Sequence, residues 1–221
     1  MTFEAVPGFA TGLDSGLPFP ECTAVYLLRS GSTAVLVDTS AASRFETLQA
    51  QLRELGVTNL DAILPTHVHL DHAGGVGHFA RAYPEAMVIG HPRAVRHLVD
   101  PAWLVAGARA VWGAERYDEL YGEMLPTPEA GVREVADRES LRFGEIELQF
   151  FDAPGHARHH YIVWHAESRT VFAGDAFGLS YAGGMSYPSS SPVQFDPDAA
   201  LRTVDLIEGL EPTRVAIAHY G

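Results

Sequence analysis

Three histidines and an aspartate fall within six residues in the stretch Thr66-His67-Val68-His69-Leu70-Asp71-His72-Ala73-Gly74-Gly75. Neutral imidazoles and carboxylates are the ligands that borderline divalent cations accept. The chain holds 11 histidines in 221 residues. At its content of His and Asp, an H-x-H-x-D-H run arises by chance on the order of once in a thousand such chains. The apolar run Ala62-Ile63-Leu64 lies just upstream. Read as a buried strand, it turns alternate residues to the same side. His67, His69 and Asp71 would then leave its end on one side, and His72 would swing across as the chain turns at Gly74-Gly75.

Three further ligand types follow apolar runs. They are His156 in Ala153-Pro154-Gly155-His156, Asp175 in Ala173-Gly174-Asp175, and His219 in Ala218-His219-Tyr220-Gly221. Each stands next to glycine or another small residue. A lone histidine after a strand is more often a turn residue than a ligand, but α/β folds gather their sites at strand ends along one sheet edge. Beside the 67–72 anchor, the three reinforce one another.

The elements that must position these residues are readable from periodicity. Residues 1–20, rich in Gly, Pro and small side chains, read as an extended lead-in. Apolar runs at 22–29 and 33–38 flank Ser30-Gly31-Ser32, a hairpin signal. Asp38 ends the second run, and Thr39-Ser40 offers helix-capping chemistry. Phe45, Leu48, Leu52 and Leu55 recur at helical spacing over 42–55, closed by Gly56. Strands follow at 60–65 and 86–89, with a short helix at about 75–83 between them. This order calls for a layered α/β domain.

Residues 93–124 differ. Their apolar residues recur at three and four, which predicts two or three helices broken at Pro101 and Gly113. Such an insertion would cover one end of a sheet and could wall a pocket. Strands return over 141–143, 146–152, 160–165 and 170–174, and 176–195 reads as a loop. Asp196-Pro197 caps a helix to about Glu208, and a final strand covers Arg214 to Ala218.

Composition narrows the function classes. At 221 residues and 47% apolar content, one domain spanning 1–221 with a sizeable core is expected. A net charge of −13 disfavours nucleic acid and anionic membrane as partners, so a small-molecule substrate is expected. The one cysteine, Cys22, permits no internal disulfide and reads as a small buried strand residue. No basic region followed by an apolar run opens the chain, and no stretch approaches the ~20 residues of a membrane span. A cytoplasmic enzyme is the default reading, with homo-oligomerisation left open.

T-H-V-H-L-D-H at 66–72, A-P-G-H at 153–156, A-G-D at 173–175 and A-H-Y-G at 218–221 stand in one order. With them the chain resembles the metallo-β-lactamase-fold hydrolase superfamily, from residue 22 to its end. The resemblance implies an αββα sandwich with two divalent ions on one edge, zinc first, iron or manganese as alternatives. By this resemblance His67, His69 and His156 hold one ion, and Asp71, His72 and His219 the other. Asp175 bridges them. A hydroxide shared by the ions, oriented by Asp71 and Asp175, would attack a small ester, thioester or lactone. Members usually continue past the last histidine with at least a helix. The domain is therefore minimal, or the natural chain runs on beyond 221.

The superfamily's name is not its function. Asp175 occupies a position where lactam hydrolases of this fold usually carry Cys or a non-bridging residue. Aspartate there resembles the glyoxalase II, lactonase, phosphodiesterase and RNA-processing branches, and the acidic charge argues against the last. His69 stands where flavin-linked di-iron oxygen reductases carry Glu. Phosphodiester hydrolysis and an iron-dependent persulfide dioxygenase remain the alternatives; the dioxygenase would use only one ligand set. His159 and His160 follow His156 closely in a G-H-x-x-H-H pattern, and were 159–165 a strand, one of the two would face the ions. His97 is a candidate pocket wall, Asp38 a candidate partner of a ligand or a cap, and Tyr181 a candidate phenol for an oxyanion. Lactonases of this fold carry Tyr three residues after the bridging aspartate, where this chain has Gly178.

Overall fold

The computed structural model describes residues 1–181 and 185–220. The long apolar runs are strands buried on both faces. β3 (Ala24–Ser30) and β4 (Thr33–Val37) form the expected hairpin. Along β3, Val25 and Leu27 turn to one core, while Ala24, Tyr26 and Leu28 turn to another. The same alternation divides Ala34 and Leu36 from Val35 and Val37 in β4. With two apolar surfaces to fill, such strands read as unbroken hydrophobic runs.

Two sheets result. In the larger, β1 (Thr2–Val6), β2 (Ala10–Asp14), β3, β4, β5 (Ala62–Leu64), β6 (Met87–Gly90) and β7 (Val132–Glu134) lie in chain order. Pairing is antiparallel from β1 to β4 and parallel from β4 to β7. The smaller sheet has the order β14-β11-β10-β9-β8. Its strands are β8 (Ser140–Phe143), β9 (Ile146–Asp152), β10 (Tyr161–His165), β11 (Thr170–Gly174) and β14 (Arg214–Ile217). Leu64, Val35 and Ile89 face Leu148, Phe150, Val163 and Phe172 between the sheets. Helices α1 (Phe45–Glu54) and α3 (Val76–Ala82) close the outer face of the larger sheet through Leu48, Leu52, Val76 and Phe79. Helix α7 (Pro197–Gly209) covers the smaller sheet through Ile207, against Phe151, Ile162 and Val171. The layers therefore run helix, sheet, sheet, helix, as expected. Asp196 caps α7 by accepting from the Ala199 amide at 3.0 Å.

Several expectations need correction. Residues 1–20 are not merely a lead-in, because β1 and β2 extend the larger sheet and Leu13 is fully buried. Glycine hid β2: Gly12 leaves room for the Phe3 ring, which a Cβ there would meet at 2.1 Å. Residues 176–195 contain two short strands, β12 (Leu179–Tyr181) and β13 (Met185–Tyr187); residues 182–184 of that stretch lie outside the described residues. Thr39-Ser40 caps no helix. The turn at Ala42–Arg44 is capped by Ala41 without a side-chain bond, and the Thr39 hydroxyl instead donates to the His72 carbonyl. The 93–124 stretch is three helices without a strand: α4 (Val95–Val99), α5 (Ala102–Trp112) and α6 (Ala114–Leu120).

Candidate metal centre

The C-terminal ends of β4, β5, β9, β11 and β14 open on one edge of the sandwich. After β5 the chain leaves the sheet at once, so His67 and His69 sit on a loop, not on a strand end as expected. His69 is the N-cap of the single-turn helix α2 (Leu70–Ala73), which carries Asp71 and His72. His156 follows β9, Asp175 follows β11 and His219 follows β14. Two glycines allow the approach. Gly155, at φ +134°, would place a Cβ 2.5 Å from the Ala200 Cα in α7. Gly174, at φ +51°, would place one 2.6 Å from the Thr66 hydroxyl and 2.8 Å from His160 Nε2.

All seven expected ligands converge. His67 Nε2 and His156 Nε2 each lie 2.9 Å from His69 Nδ1. Asp71, His72 and His219 form a second group, and His67, His72 and Asp175 a third that joins the two; within each group the ligand atoms lie within 4.8 Å of one another. Asp175 sits between. Its Oδ2 is 3.3 Å from His156 Nε2, while its Oδ1 is 3.3 Å from His72 Nε2 and 3.5 Å from His219 Nε2.

The outward nitrogens of four of the five histidines have partners. His72 Nδ1 donates to Asp38 Oδ2 at 2.9 Å, and His219 Nδ1 to the Cys22 carbonyl at 2.9 Å. His156 Nδ1 donates to the Ser189 carbonyl at 2.9 Å, and His67 Nδ1 lies 3.1 Å from the Thr66 hydroxyl. Fixing one ring nitrogen leaves the other nitrogen's lone pair for a cation. Asp38 is thus the partner of a candidate ligand, His72, and not a cap; its Oδ1 also accepts from the Thr66 amide and hydroxyl at 2.7 and 2.9 Å. Ser189 was not foreseen. Its hydroxyl donates to Asp175 Oδ2 at 3.0 Å, yet in the sequence it is one serine in a Ser/Pro loop with no spacing signal.

A divalent cation fits this pocket on physical grounds. His72 Nε2 and Asp175 Oδ1 are buried, and neither forms a hydrogen bond among the described residues. Leaving such atoms unsatisfied costs about 1–3 kcal/mol each. An ion between them would satisfy both. The electrostatics agree. Burial, reinforced by neighbouring rings, lowers the His67 pKa far below the usual imidazole range and brings His69 down to about 4. Burial also lowers His156, against the pull of Asp175. At His72, burial opposes the cation, but the Asp175, Asp71 and Asp38 charges outweigh it and raise the pKa to about 9. At His219, burial is overcome by hydrogen bonds to Asp71 and the Cys22 carbonyl and by the Asp175 charge, which push it up to about 12. Asp71 and Asp175 are held below the usual carboxylate range because nearby imidazoles outweigh their burial.

The remaining candidates surround this centre. The strand β10 begins at Tyr161, so His159 and His160 both precede it, and both rings flank His67, with centroids 6.2 and 4.7 Å away. The expectation that strand alternation would send only one of them toward the site is therefore corrected. His160 Nε2 accepts from the Asp175 amide at 3.2 Å. His159 Nδ1 faces the Val68 amide at 3.4 Å, and its ring walls a cavity of about 900 Å³ that His97 also lines. Tyr181 lines a second cavity of about 210 Å³, together with Asp71, His219, Trp112, Leu120 and Cys22. Cys22 is buried as expected, but it precedes β3. A side chain at Gly178 is excluded by φ +95° and by the Tyr187 carbonyl, 2.6 Å from where its Cβ would stand. The described residues contain no helix long and apolar enough to cross a membrane.

A sequence profile of the metallo-beta-lactamase superfamily matches residues 21–219. The metallo-beta-lactamase fold-containing protein ST1585 of Sulfurisphaera tokodaii is 26% identical over 206 residues, which span 92% of this chain and 74% of that protein. Its crystal structure superposes with a TM-score of 0.81, covering 96% of this chain and 80% of the other. The probable metallo-hydrolase YybB of Bacillus subtilis is 25% identical over 208 residues, 94% of this chain and 84% of its own length. A hydroxyacylglutathione hydrolase from Synechococcus sp. is 29% identical over 198 residues, 88% of this chain but 62% of its own.

Proposed function

Because the chain belongs to the metallo-beta-lactamase superfamily, we propose that it is a binuclear metal-dependent hydrolase of a small ester, thioester or lactone. One ion would take His67 Nε2, His69 Nδ1 and His156 Nε2. The other would take Asp71, His72 Nε2 and His219 Nε2, with Asp175 shared. Donor sets of imidazole and carboxylate suit zinc, and iron and manganese accept them too. The observation that carries this reading is Asp175, which turns one carboxylate oxygen to each histidine group. When bound, such a pair of cations makes water a nucleophile near neutral pH and polarises the attacked carbonyl.

The chain's own residues supply the rest. Asp71 has a third of its side chain exposed and borders the 210 Å³ cavity, so it can take the proton of the attacking water and return it to the leaving group. Asp175 is nearly buried and is fixed by Ser189 and by its own amide on His160, which suits orientation and not proton exchange. Leu17, Pro18, Trp112 and Leu120 give the small cavity apolar walls that would exclude water around an acyl group. Burial raises the Tyr181 pKa, so its phenol stays protonated at the edge of that cavity and can donate to a developing oxyanion.

Elemental analysis together with a substrate panel tests the proposal. Two divalent ions per chain, with turnover of thioesters or lactones, is expected. Turnover of bis(4-nitrophenyl) phosphate alone would move the site to phosphodiesters. A single iron per chain without hydrolysis would favour the dioxygenase reading. His69→Ala is expected to abolish hydrolysis while the circular dichroism spectrum stays native. Wild-type rates in that variant would overturn the ligand assignment.

A further inference from the structure

The chain has no lysine; its 15 cationic residues are all arginine, within a net charge of −13. Arg109, Arg116, Arg133, Arg138, Arg142 and Arg169 are each paired with a carboxylate. Among the described residues the other nine form no ion pair with a carboxylate, and three of these nine, Arg93, Arg96 and Arg158, line the cavity of about 900 Å³. Arg93 Nη1 donates to the Arg158 carbonyl at 3.1 Å, and Arg96 Nε to His97 Nε2 at 3.1 Å. Among the described residues no Asp or Glu lines that cavity. Three guanidinium groups thus line one cavity with no carboxylate among its described lining residues, in a protein rich in carboxylates.

The cavity opens beside the metal centre. His159, 8% exposed, forms its inner wall, and the His159 ring centroid is 5.6 Å from that of His69. One imidazole's width therefore separates the basic cavity from the first histidine group. Trp103, 84% exposed, presents an indole on the same wall. Helix α5 carries Trp103 near its start and Trp112 at its end, nine residues or about 14 Å apart. One helix thus lines the basic cavity on one flank of the centre and the apolar cavity at Asp71 and His219 on the other.

We propose that the Arg93–Arg96–Arg158 cavity is the subsite for an anionic group, carboxylate or phosphate, on the leaving side of the substrate. This rests on the hydrolase reading above. Guanidinium forks match planar carboxylates and phosphates in paired hydrogen bonds. The apolar cavity then takes the acyl part, and the scissile carbonyl lies over the centre between them. The acyl–sulfur or acyl–oxygen bond breaks, water supplies the OH of the released acid, and its proton goes to the leaving thiol or alcohol.

The test uses three acetyl thioesters with the same scissile bond: those of 3-mercaptopropionate, 2-mercaptoethyl phosphate and 3-mercaptopropionamide. The wild type is expected to favour one or both anionic substrates over the neutral amide by roughly tenfold or more in kcat/KM. The preference should shrink as salt rises. Arg96→Gln/Arg158→Gln should collapse the anionic-to-neutral ratio toward one, whereas the exposed Arg202→Gln in α7 should leave it intact. The carboxylate and phosphate arms show which anion the cavity takes. Equal rates on all three thioesters in the wild type, or an unchanged ratio in the double variant, would overturn the subsite.

Calorimetric titration of the metal-loaded protein with succinamate, ethyl phosphate and succinamide separates the two readings. If no thioester turns over but an anion binds and the double variant loses that binding, the subsite stands and the hydrolase reading fails. If neither anion binds and no thioester turns over, the subsite is refuted as well.

Discussion

The two halves of the centre are built on opposite electrostatic terms. Around His67, His69 and His156, burial drives all three imidazoles toward the neutral form. Their outer contacts are also neutral: a hydroxyl at Thr66 and a carbonyl at Ser189. Around His72 and His219 the carboxylates and hydrogen bonds outweigh burial and raise both imidazole pKa values. The outer contact of His72 is itself a carboxylate, Asp38. The first half is a set of lone pairs ready for a cation. The second is an anionic pocket in which proton and cation compete for the same nitrogens, so ion uptake there should be the more pH-dependent of the two. Asp175 belongs to both halves, and substitutions should separate them.

Removing the shared group should have the largest effect. Asp175→Asn keeps the shape and takes away the charge facing both halves. Turnover is expected to fall on the order of a thousandfold, with fewer than two ions per chain by elemental analysis. Wild-type stoichiometry and rate would mean that the halves are not coupled through Asp175.

Asp38→Asn comes next. Asparagine tolerates the left-handed backbone that Asp38 adopts at φ +61°, so the fold should survive. The amide cannot raise His72's basicity as the carboxylate does. A loss of about 10–100-fold in affinity is expected at the weaker of two steps in a chelator titration. Thr66→Val gives the matching cut on the other side. It removes the hydroxyl between Asp38 and His67 but leaves the Thr66 amide on Asp38 and the Asp38–His72 bond in place. It should weaken the other step, by about tenfold. If both variants weaken the same step, the division into two halves is wrong.

The asymmetry also explains what the sequence made legible. Candidate ligand positions are local signals. His67, His69, Asp71 and His72 lie within one loop and one helical turn, and His156, Asp175 and His219 each follow a strand of the smaller sheet. The apolar runs of β3, β4, β10 and β11 set the two-sheet core by alternation, and the helical spacing over 93–124 was visible as well. The groups that tune the ligands were less visible, because they act across long separations. Asp38 meets Thr66 28 residues away and His72 34 residues away. Ser189 reaches His156 over 33 residues. No periodicity records such pairings. The strands β1 and β2 escaped for another reason: Gly8, Gly12 and Pro7 gave 1–20 the composition of a loop, and sheet pairing overrode it.

His160 gives the smallest expected effect. Its Nε2 accepts from the buried Asp175 amide, so it fixes the backbone that carries the shared carboxylate without touching the space where ions would lie. His160→Leu would leave that amide without an acceptor at a cost of about 1–3 kcal/mol. Part of that cost should appear as a shift of Asp175, lowering kcat by roughly five- to tenfold with two ions still bound. Glutamine keeps an acceptor at similar reach, so His160→Gln should recover most of the lost rate. If both variants are equally impaired, or if ion content falls with kcat, His160 serves packing against His67 and not the placement of Asp175.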